Sequence, residues 1–481
     1  MLFDYLRREL VDVETKIEHG ATPPLTKRKK AIMLQLDNIV YPILTLPSEI
    51  TSEIFVQSVG SPYTMSHHPP IIFIRICRVW RTIALTTPQL WTTLCLHFNG
   101  NDYPPEGLAR FVAQFTDRAK NLPLSSTFHG FAGGIAGHDL AAILERQAPR
   151  LRDLVLSMEV LDFPILSKER QFPALEKLTL GGFCFARSDS DVPNMMHTFL
   201  DAPQLRQVVL HTGVTREHFL LPWSQLVKFA VATISTADCL QILRDAPMLK
   251  TCRFSGIYDA GPVGSPATAH SLEELVIVGW GNLLNFLDLP HLRTLSLDHV
   301  DTRDISIEFF ARSSESLQEV TYTGRVDSDS DSDSISIDWL RPMDQLTTLT
   351  LTTIPEHFAT ALLRALNREV DDRFLPHLRH LEMTRATYTV DAPVVAALWS
   401  RCDTTSTAPN PDAVQLESLR LLCVRSYPDS TLQYRWENAG EDIDWDALAD
   451  LGRAGMDVYL GSRQKNFIWD WFMPQHIVFS P

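Results

Sequence analysis

The residue types best able to do chemistry in this chain are its histidines and cysteines, and their spacing speaks against a catalyst. His129-Gly130-Phe131-Ala132-Gly133-Gly134-Ile135-Ala136-Gly137-His138 is glycine-rich with a histidine at each end. Such a run cradles phosphate on backbone N–H groups when its glycines fall at G-x-G-x-x-G or G-x-x-x-x-G-K-[ST]. These do not, and no G-x-S-x-G or H-E-x-x-H occurs elsewhere, so nucleophile elbow and zincin-type helix are both missing. The run reads as a flexible loop ahead of a helix at 139–147. His67-His68 has no third ligand at metal spacing and reads as loop surface. Cys77, Cys95, Cys184, Cys239, Cys252, Cys402 and Cys423 are dispersed without a C-x-x-C pair, which disfavours a zinc site or a disulfide framework. We expect no catalytic, cofactor-binding or metal-ligating residue, no cofactor, and no enzyme.

Two charge runs offer modification or targeting chemistry instead. The tract Asp327-Ser328-Asp329-Ser330-Asp331-Ser332-Asp333-Ser334 has no apolar surface to bury and reads as a solvated loop between repeats, its serines suited to an acid-directed kinase. Lys27-Arg28-Lys29-Lys30 has the composition of a nuclear import signal, or of the solvated side of a helix whose other side carries Ile32, Leu34 and Leu36. With 43 basic and 58 acidic residues the formal charge is −15, which disfavours general nucleic-acid binding. No apolar run reaches a membrane span, and the N-terminus lacks the uninterrupted apolar stretch of a signal peptide. Composition is that of an ordinary globular chain, expected in cytoplasm or nucleus with no membrane contact.

The elements that carry these residues repeat. A pattern L-x-x-L-x-L begins at Leu151, Leu175, Leu205, Leu226, Leu249, Leu272, Leu292, Leu317, Leu346, Leu378 and Leu416, with spacings of 20 to 38 residues. Its last two apolar residues, two apart, fit one face of a short strand. Between copies, HDLAAILERQ, ADCLQILRD and NMMHTFL carry apolar residues at helical steps, and a proline two residues before the leucine recurs at Pro149, Pro173, Pro203, Pro247, Pro290 and Pro376. Proline stops a helix, so each unit reads as helix, stop, strand. One unit cannot bury both its apolar faces, so stacking must make the core. The pattern resembles the leucine-rich-repeat class in an irregular form, and a compact α/β domain with similar strands is the other reading. In repeat geometry the pattern residues point inward and those between them face the concave surface, which makes Asp153, Lys177, Gln207, Thr294, Thr348, His380, Glu382 and Arg420 candidate target-binding residues.

Ahead of the repeats, residues 44–95 read as a small helical unit. Pro47 after Leu46 opens a helix with Ile50, Ile54 and Phe55 on one stripe. After a loop, Phe73, Ile76, Trp80, Ile83 and Ala84 fall near one helical face, and Pro88 opens a last short helix carrying Leu90 and Trp91. This segment resembles an F-box. Leu46-Pro47, Glu49-Ile50 and Ile54-Phe55 match that motif's opening, and Ile76-Cys77-Arg78-Val79-Trp80-Arg81, Ile83-Ala84, Pro88, Leu90 and Trp91 its second half. The loop between is longer than is common there. The order of parts looks like F-box proteins numerous in mushroom-forming fungi. The resemblance implies docking on a Skp-type adaptor, and through it a cullin, by Leu46, Pro47, Ile50, Ile54, Phe55, Ile76, Cys77, Trp80, Leu90 and Trp91.

We therefore expect an α/β chain: an N-terminal helical segment (1–43), an all-α F-box (44–95), a curved leucine-rich-repeat-like solenoid (96–461) containing the Asp-Ser loop, and an aromatic tail or cap (462–481). The function expected is that of a substrate-recognition subunit of a Skp-cullin-F-box ubiquitin ligase, monomeric outside that complex, with an unknown protein target. The alternative is a non-degradative repeat scaffold whose helices only cap the array.

Overall fold

The computed structural model describes residues 2–20, 22–37, 42–59, 69–98, 105–130, 135–159, 166, 170–183, 196–259, 265–279, 283–300, 307–324, 336–384, 391–402, 414–422, 445–462 and 465–466. The chain divides into two compact units, Met1–His97 with Tyr103–Thr127, and Phe98–Asp102 with Phe128–Pro481. His67-His68, the Asp-Ser tract, most of the aromatic tail, Cys184 and Cys423 lie outside the described residues.

The first unit begins with two helices, α1 (Leu2–Glu18) and α2 (Pro23–Asp37). Leu6, Leu10, Val13 and Ile17 recur at steps of four and three, the stripe of an amphipathic helix, and they pack with Ile32 and Leu36. Leu34, expected on that apolar side, is exposed instead: two residues from Ile32, it points away from the seam. Of the basic run, Arg28 pairs with Glu9 and Lys29 with Glu14 across the two helices. There follow α3 (Ser48–Ser58), α4 (Pro69–Ile76), α5 (Arg78–Thr86), a 3-10 turn at Pro88–Trp91, β1 (Thr93–Phe98), α6 (Pro105–Arg118) and β2 (Leu124–Gly130). The apolar run from Ile71 to Ala84 is two helices rather than one. Cys77 between them is extended (φ −153°, ψ 171°), and its Sγ accepts the Trp80 N–H at 3.4 Å as the cap of α5.

The second unit is one long ladder. Its strands are β3 (Leu151–Glu159), β4 (Lys177–Phe183), β5 (Gln207–Leu210), β6 (Lys228–Val231), β7 (Ile234–Ser235), β8 (Thr251–Ser255), β9 (Ile257–Tyr258), β10 (Ala267–Thr268), β11 (Glu274–Val278), β12 (Leu287–Asp288), β13 (Thr294–Asp298), β14 (Glu319–Thr323), β15 (Thr348–Thr352), β16 (His380–Thr384), β17 (Ser418–Leu422), β18 (Asp457–Ser462) and β19 (Lys465–Asn466). β7–β9 and β10–β12 form small side sheets; the rest run in strict sequence order, parallel throughout until the antiparallel β18–β19 pair. Parallel neighbours need a crossover, and a sheet that never reverses its order has no switch point of the doubly wound kind. It is a coil of repeats. The first, fourth and sixth residues of all eleven copies are buried, so the leucine pattern is the core and the compact-domain reading fails.

The connections are more varied than helix, stop, strand. Helices α7 (Ile135–Gln147), α8 (Thr236–Asp245), α9 (Ile307–Ser313), α10 (Glu356–Ala365) and α11 (Ala392–Cys402) precede some copies, and a last one at Trp445–Arg453 precedes β18. Of NMMHTFL, expected as a helix, the described residues 196–200 form instead a bridge from Met196 to Phe219 followed by a turn, with Leu200 exposed. The recurring proline has a different job from the one its spacing suggested. The N–H of Leu205, Leu249, Leu292 and Leu378 donates to the carbonyl three residues back, which puts Pro203, Pro247, Pro290 and Pro376 at the second position of a β-turn, where a fixed φ near −65° is needed. That turn launches β5, which follows turns, as well as β8 and β16, which follow α8 and α10.

Candidate functional site

In the helical unit, one side of α3 is closed and the other is bare. Phe55, 1% exposed, stacks on Phe73 with centroids 4.3 Å apart and meets the edge of Trp80 at 4.8 Å. Trp91 donates Nε1–H to the Ala84 carbonyl at 2.8 Å and packs on Phe115 at 5.0 Å, with Arg118 over its ring. Phe55, Leu90 and Trp91 are therefore core residues, and their place among partner-contacting positions is corrected: a buried ring has no surface to offer. Leu46, Pro47, Ile50, Ile54 and Ile76 are exposed, Ile50 and Ile76 by 51% and 54%, while Cys77 and Trp80 are half-buried. Two further apolar residues sequence reasoning passed over, Ile72 and Val79, are exposed as well. The signal for Ile72 was there, since it sits one turn before Ile76. Grouped isoleucines facing water on adjoining short helices are unusual for a surface with no partner.

On the ladder, the register sets the eight candidate residues in two cross-strand rows, Asp153 opposite Lys177 at the start of the first. Lys177, Gln207, Thr294, Thr348 and His380 share one cross-strand row, and Glu382 and Arg420 the next, with all pairings in register. Lys177 lies 3.9 Å from Asp153, and Arg420 donates to Asp457 at 3.3 Å. Four charged residues of the same rows were overlooked: Lys228, Arg253, Glu274 and Glu319. They follow Leu226, Leu249, Leu272 and Leu317 at fixed offsets, so the register alone finds them. At the strand starts, Arg152–Glu176, Lys250–Glu273 and Arg379–Glu417 form cross-strand ion pairs at 2.8 Å, exposed and screened by solvent. Lys250, with Arg293 behind it, holds the Glu273 carboxyl below the ordinary carboxylate range.

Nothing in this geometry composes a reacting centre. Burial pushes the Cys239 and Cys252 thiols well up, so neither is a thiolate nucleophile. A cleft at the leading ends of β8, β11 and β13 is lined by Lys250, His270, Ser271, Glu273, His291, Arg293 and Ser316; its two serine hydroxyls donate to backbone, Ser271 to the Pro247 and Leu249 carbonyls and Ser316 to those of Pro290 and Leu292. Among the described residues no cluster of side chains has the make-up of a metal site, and no helix is long and apolar enough to cross a membrane.

No family model and no curated protein matches the sequence. Two solved structures are similar at 13% identity. A TLR13–ssRNA13 complex has a TM-score of 0.28 over 69% of this chain, which spans 48% of the TLR13 chain. The internalin InlF of Listeria monocytogenes str. 4b F2365 has a TM-score of 0.29 over 82% of this chain and 87% of its own. Likenesses that slight carry no weight, and the repeat fold stands on the ladder itself.

Proposed function

We propose that this protein is the substrate-recognition subunit of a Skp-cullin-F-box ubiquitin ligase, working in cytoplasm or nucleus without chemistry of its own. The observation that carries the reading is the exposure of four isoleucines, Ile50 and Ile54 on α3 with Ile72 and Ile76 on α4, on helices joined by the Phe55–Phe73 stack in the segment whose motif resembles an F-box. An apolar side presented by a rigid unit is what an adaptor's own apolar groove would cover. The ladder then holds a protein target near the ligase's charged ubiquitin carrier, and a raised effective concentration does the rest.

The test is co-purification of the full chain with a Skp-type adaptor, beside Leu46→Ala/Pro47→Ala and Ile50→Asp. Stoichiometric capture by the parent, lost in variants that remain folded, is the expected result. Capture by none of the three would leave a repeat scaffold capped by helices. Capture without ubiquitination of any bound protein would point to a non-degradative complex.

A further inference from the structure

The exposed face of the ladder is electrically divided. Over β4 to β8 its charged residues are Lys177, Lys228 and Arg253; over β11 to β16 they are Glu274, Asp298, Glu319 and Glu382. Three cations stand beside four acids in a chain whose net charge is −15. The remaining side chains of these rows over β13 to β15 are hydroxyls: Thr294, Ser296, Thr321, Thr323, Thr348, Thr350 and Thr352.

Neighbouring strands are close enough for cross-strand ion pairs, as Arg152–Glu176, Lys250–Glu273 and Arg379–Glu417 demonstrate at 2.8 Å. At the two ends of the face the same thing happens, Asp153 with Lys177 and Arg420 with Asp457. The middle is different. Lys228 stands between Gln207 and Thr251, and Glu319 between Thr294 and Thr348. Lys228, Arg253 and Glu319 form no ion pair among the described residues. The register separates charges that a shift of one strand would let meet.

We infer that the ladder face binds an extended, charge-segregated peptide segment, its acidic block over Lys228 and Arg253 and its basic block over Glu274 and Glu319. This deepens the target-holding role proposed above and names the chemistry of the target's bound segment. From Lys228 to Glu319 is four strand steps, about 19 Å at roughly 4.8 Å each, which an extended chain covers in about six residues. The centres of the two blocks lie two and a half strand steps apart, about 12 Å at roughly 4.8 Å each, or about four residues of extended chain. A nucleic acid or an anionic membrane presents a single sign of charge and would be repelled by one half of such a face.

The probes are fluorescein-labelled synthetic peptides of one composition, an acidic block then a basic block against a scrambled order, with uniformly acidic and uniformly basic controls. Binding to the full chain is read by anisotropy at low salt and at about 1 M salt, where the screening length falls to about 3 Å. The block peptide should bind roughly tenfold tighter than the scramble at low salt, and the preference should vanish at high salt. Lys228→Glu/Arg253→Glu should abolish the preference and favour the uniformly basic peptide. Glu274→Lys/Glu319→Lys should do the reverse. Equal binding of block and scramble, or a preference untouched by both double variants, overturns the inference. So does a low-salt dimer of the chain, seen by sedimentation, that either double variant dissociates, since the face would then belong to a second copy. No adaptor enters this assay: peptide binding without adaptor capture would leave the inference standing and the ligase reading fallen, and the converse would separate them the other way.

Discussion

Phe55 and Phe73 stack nearly parallel, their planes 12° apart, and Trp80 closes the edge of the pair. This contact fixes the inner side of α3, and so determines which way Ile50 and Ile54 point. The two sides of one helix should separate cleanly by mutation. Phe55→Ala should destabilise the helical unit by about 3–5 kcal/mol, read as an early unfolding transition in tryptophan fluorescence. Ile54→Ala, on the outer side, should change stability by no more than about 0.5 kcal/mol while weakening adaptor capture by about 2 kcal/mol if Ile54 is a central anchor. Equal stability loss in both would mean that the outer side is packed after all.

The same residues mark how far sequence reaches. The repeat was legible because inward burial at a fixed offset leaves a periodic record: Leu249, Cys252 and Phe254 are as buried as Leu292, Leu295 and Leu297. Which motif residues touch a partner was not legible, since Phe55 and Ile54 are adjacent, equally apolar, and opposite in fate. The break at Cys77 was hidden because the apolar run continues through it; the extended backbone of Cys77 ends α4 and its thiol caps the start of α5. NMMHTFL has helical spacing, yet Met196 finds a strand-like partner in Phe219, a tertiary contact that local propensity cannot register.

Gly324 lies against the backbone of Thr353, its own N–H donating to the Thr352 carbonyl at 2.8 Å. A Cβ on Gly324 would come 2.2 Å from the Thr353 carbonyl oxygen, and backbone cannot swing aside as a side chain can. Gly324→Ala should therefore cost about 1–3 kcal/mol, although alanine ordinarily favours the folded chain by limiting the unfolded one. Thr353 itself sits at φ +56°, an uncommon place for a β-branched residue. Thr353→Gly should be neutral or stabilising by up to about 1 kcal/mol, as relief of strain offsets added chain entropy. Thermal denaturation of the two variants with opposite signs is the expected outcome.

Arg401 on α11 is fully buried and bonds only backbone: Nε to the Leu366 carbonyl at 2.7 Å, Nη1 to Leu375 at 2.8 Å and Nη2 to Phe374 at 2.5 Å. Burial, with the nearby Arg368 charge adding, drives its guanidinium down to about 9. One side chain ties α11 to the turn that launches the preceding strand. Arg401→Met fills similar volume but takes their side-chain donor from the Leu366 and Phe374 carbonyls, while Leu375 keeps the Leu378 N–H, for an expected loss of about 2–4 kcal/mol. Arg401→Lys should recover little, since one ammonium cannot reach three diverging acceptors in a planar fork. Full recovery by lysine would mean that charge matters here and fork geometry does not.

His218 gives the ladder a sensitivity to mild acid. Its Nδ1 accepts the Thr215 N–H at 2.9 Å, which requires that nitrogen to be unprotonated, and burial lowers its pKa below the ordinary 6.5 despite the opposing pull of Glu217. The unfolded chain then takes up a proton near pH 6.5 that the folded chain refuses, so stability rises with pH across that window and falls as the medium is acidified. The contribution is fully present above the unfolded value and fades as pH drops through it toward the lower folded one. His218→Gln keeps an acceptor near the Thr215 N–H but cannot titrate. Between about pH 7.5 and about pH 5.5 the melting temperature of the parent should therefore fall further than that of His218→Gln. Identical pH slopes in the two proteins would show that the ring is protonated in the fold without penalty and that its bond to Thr215 is dispensable.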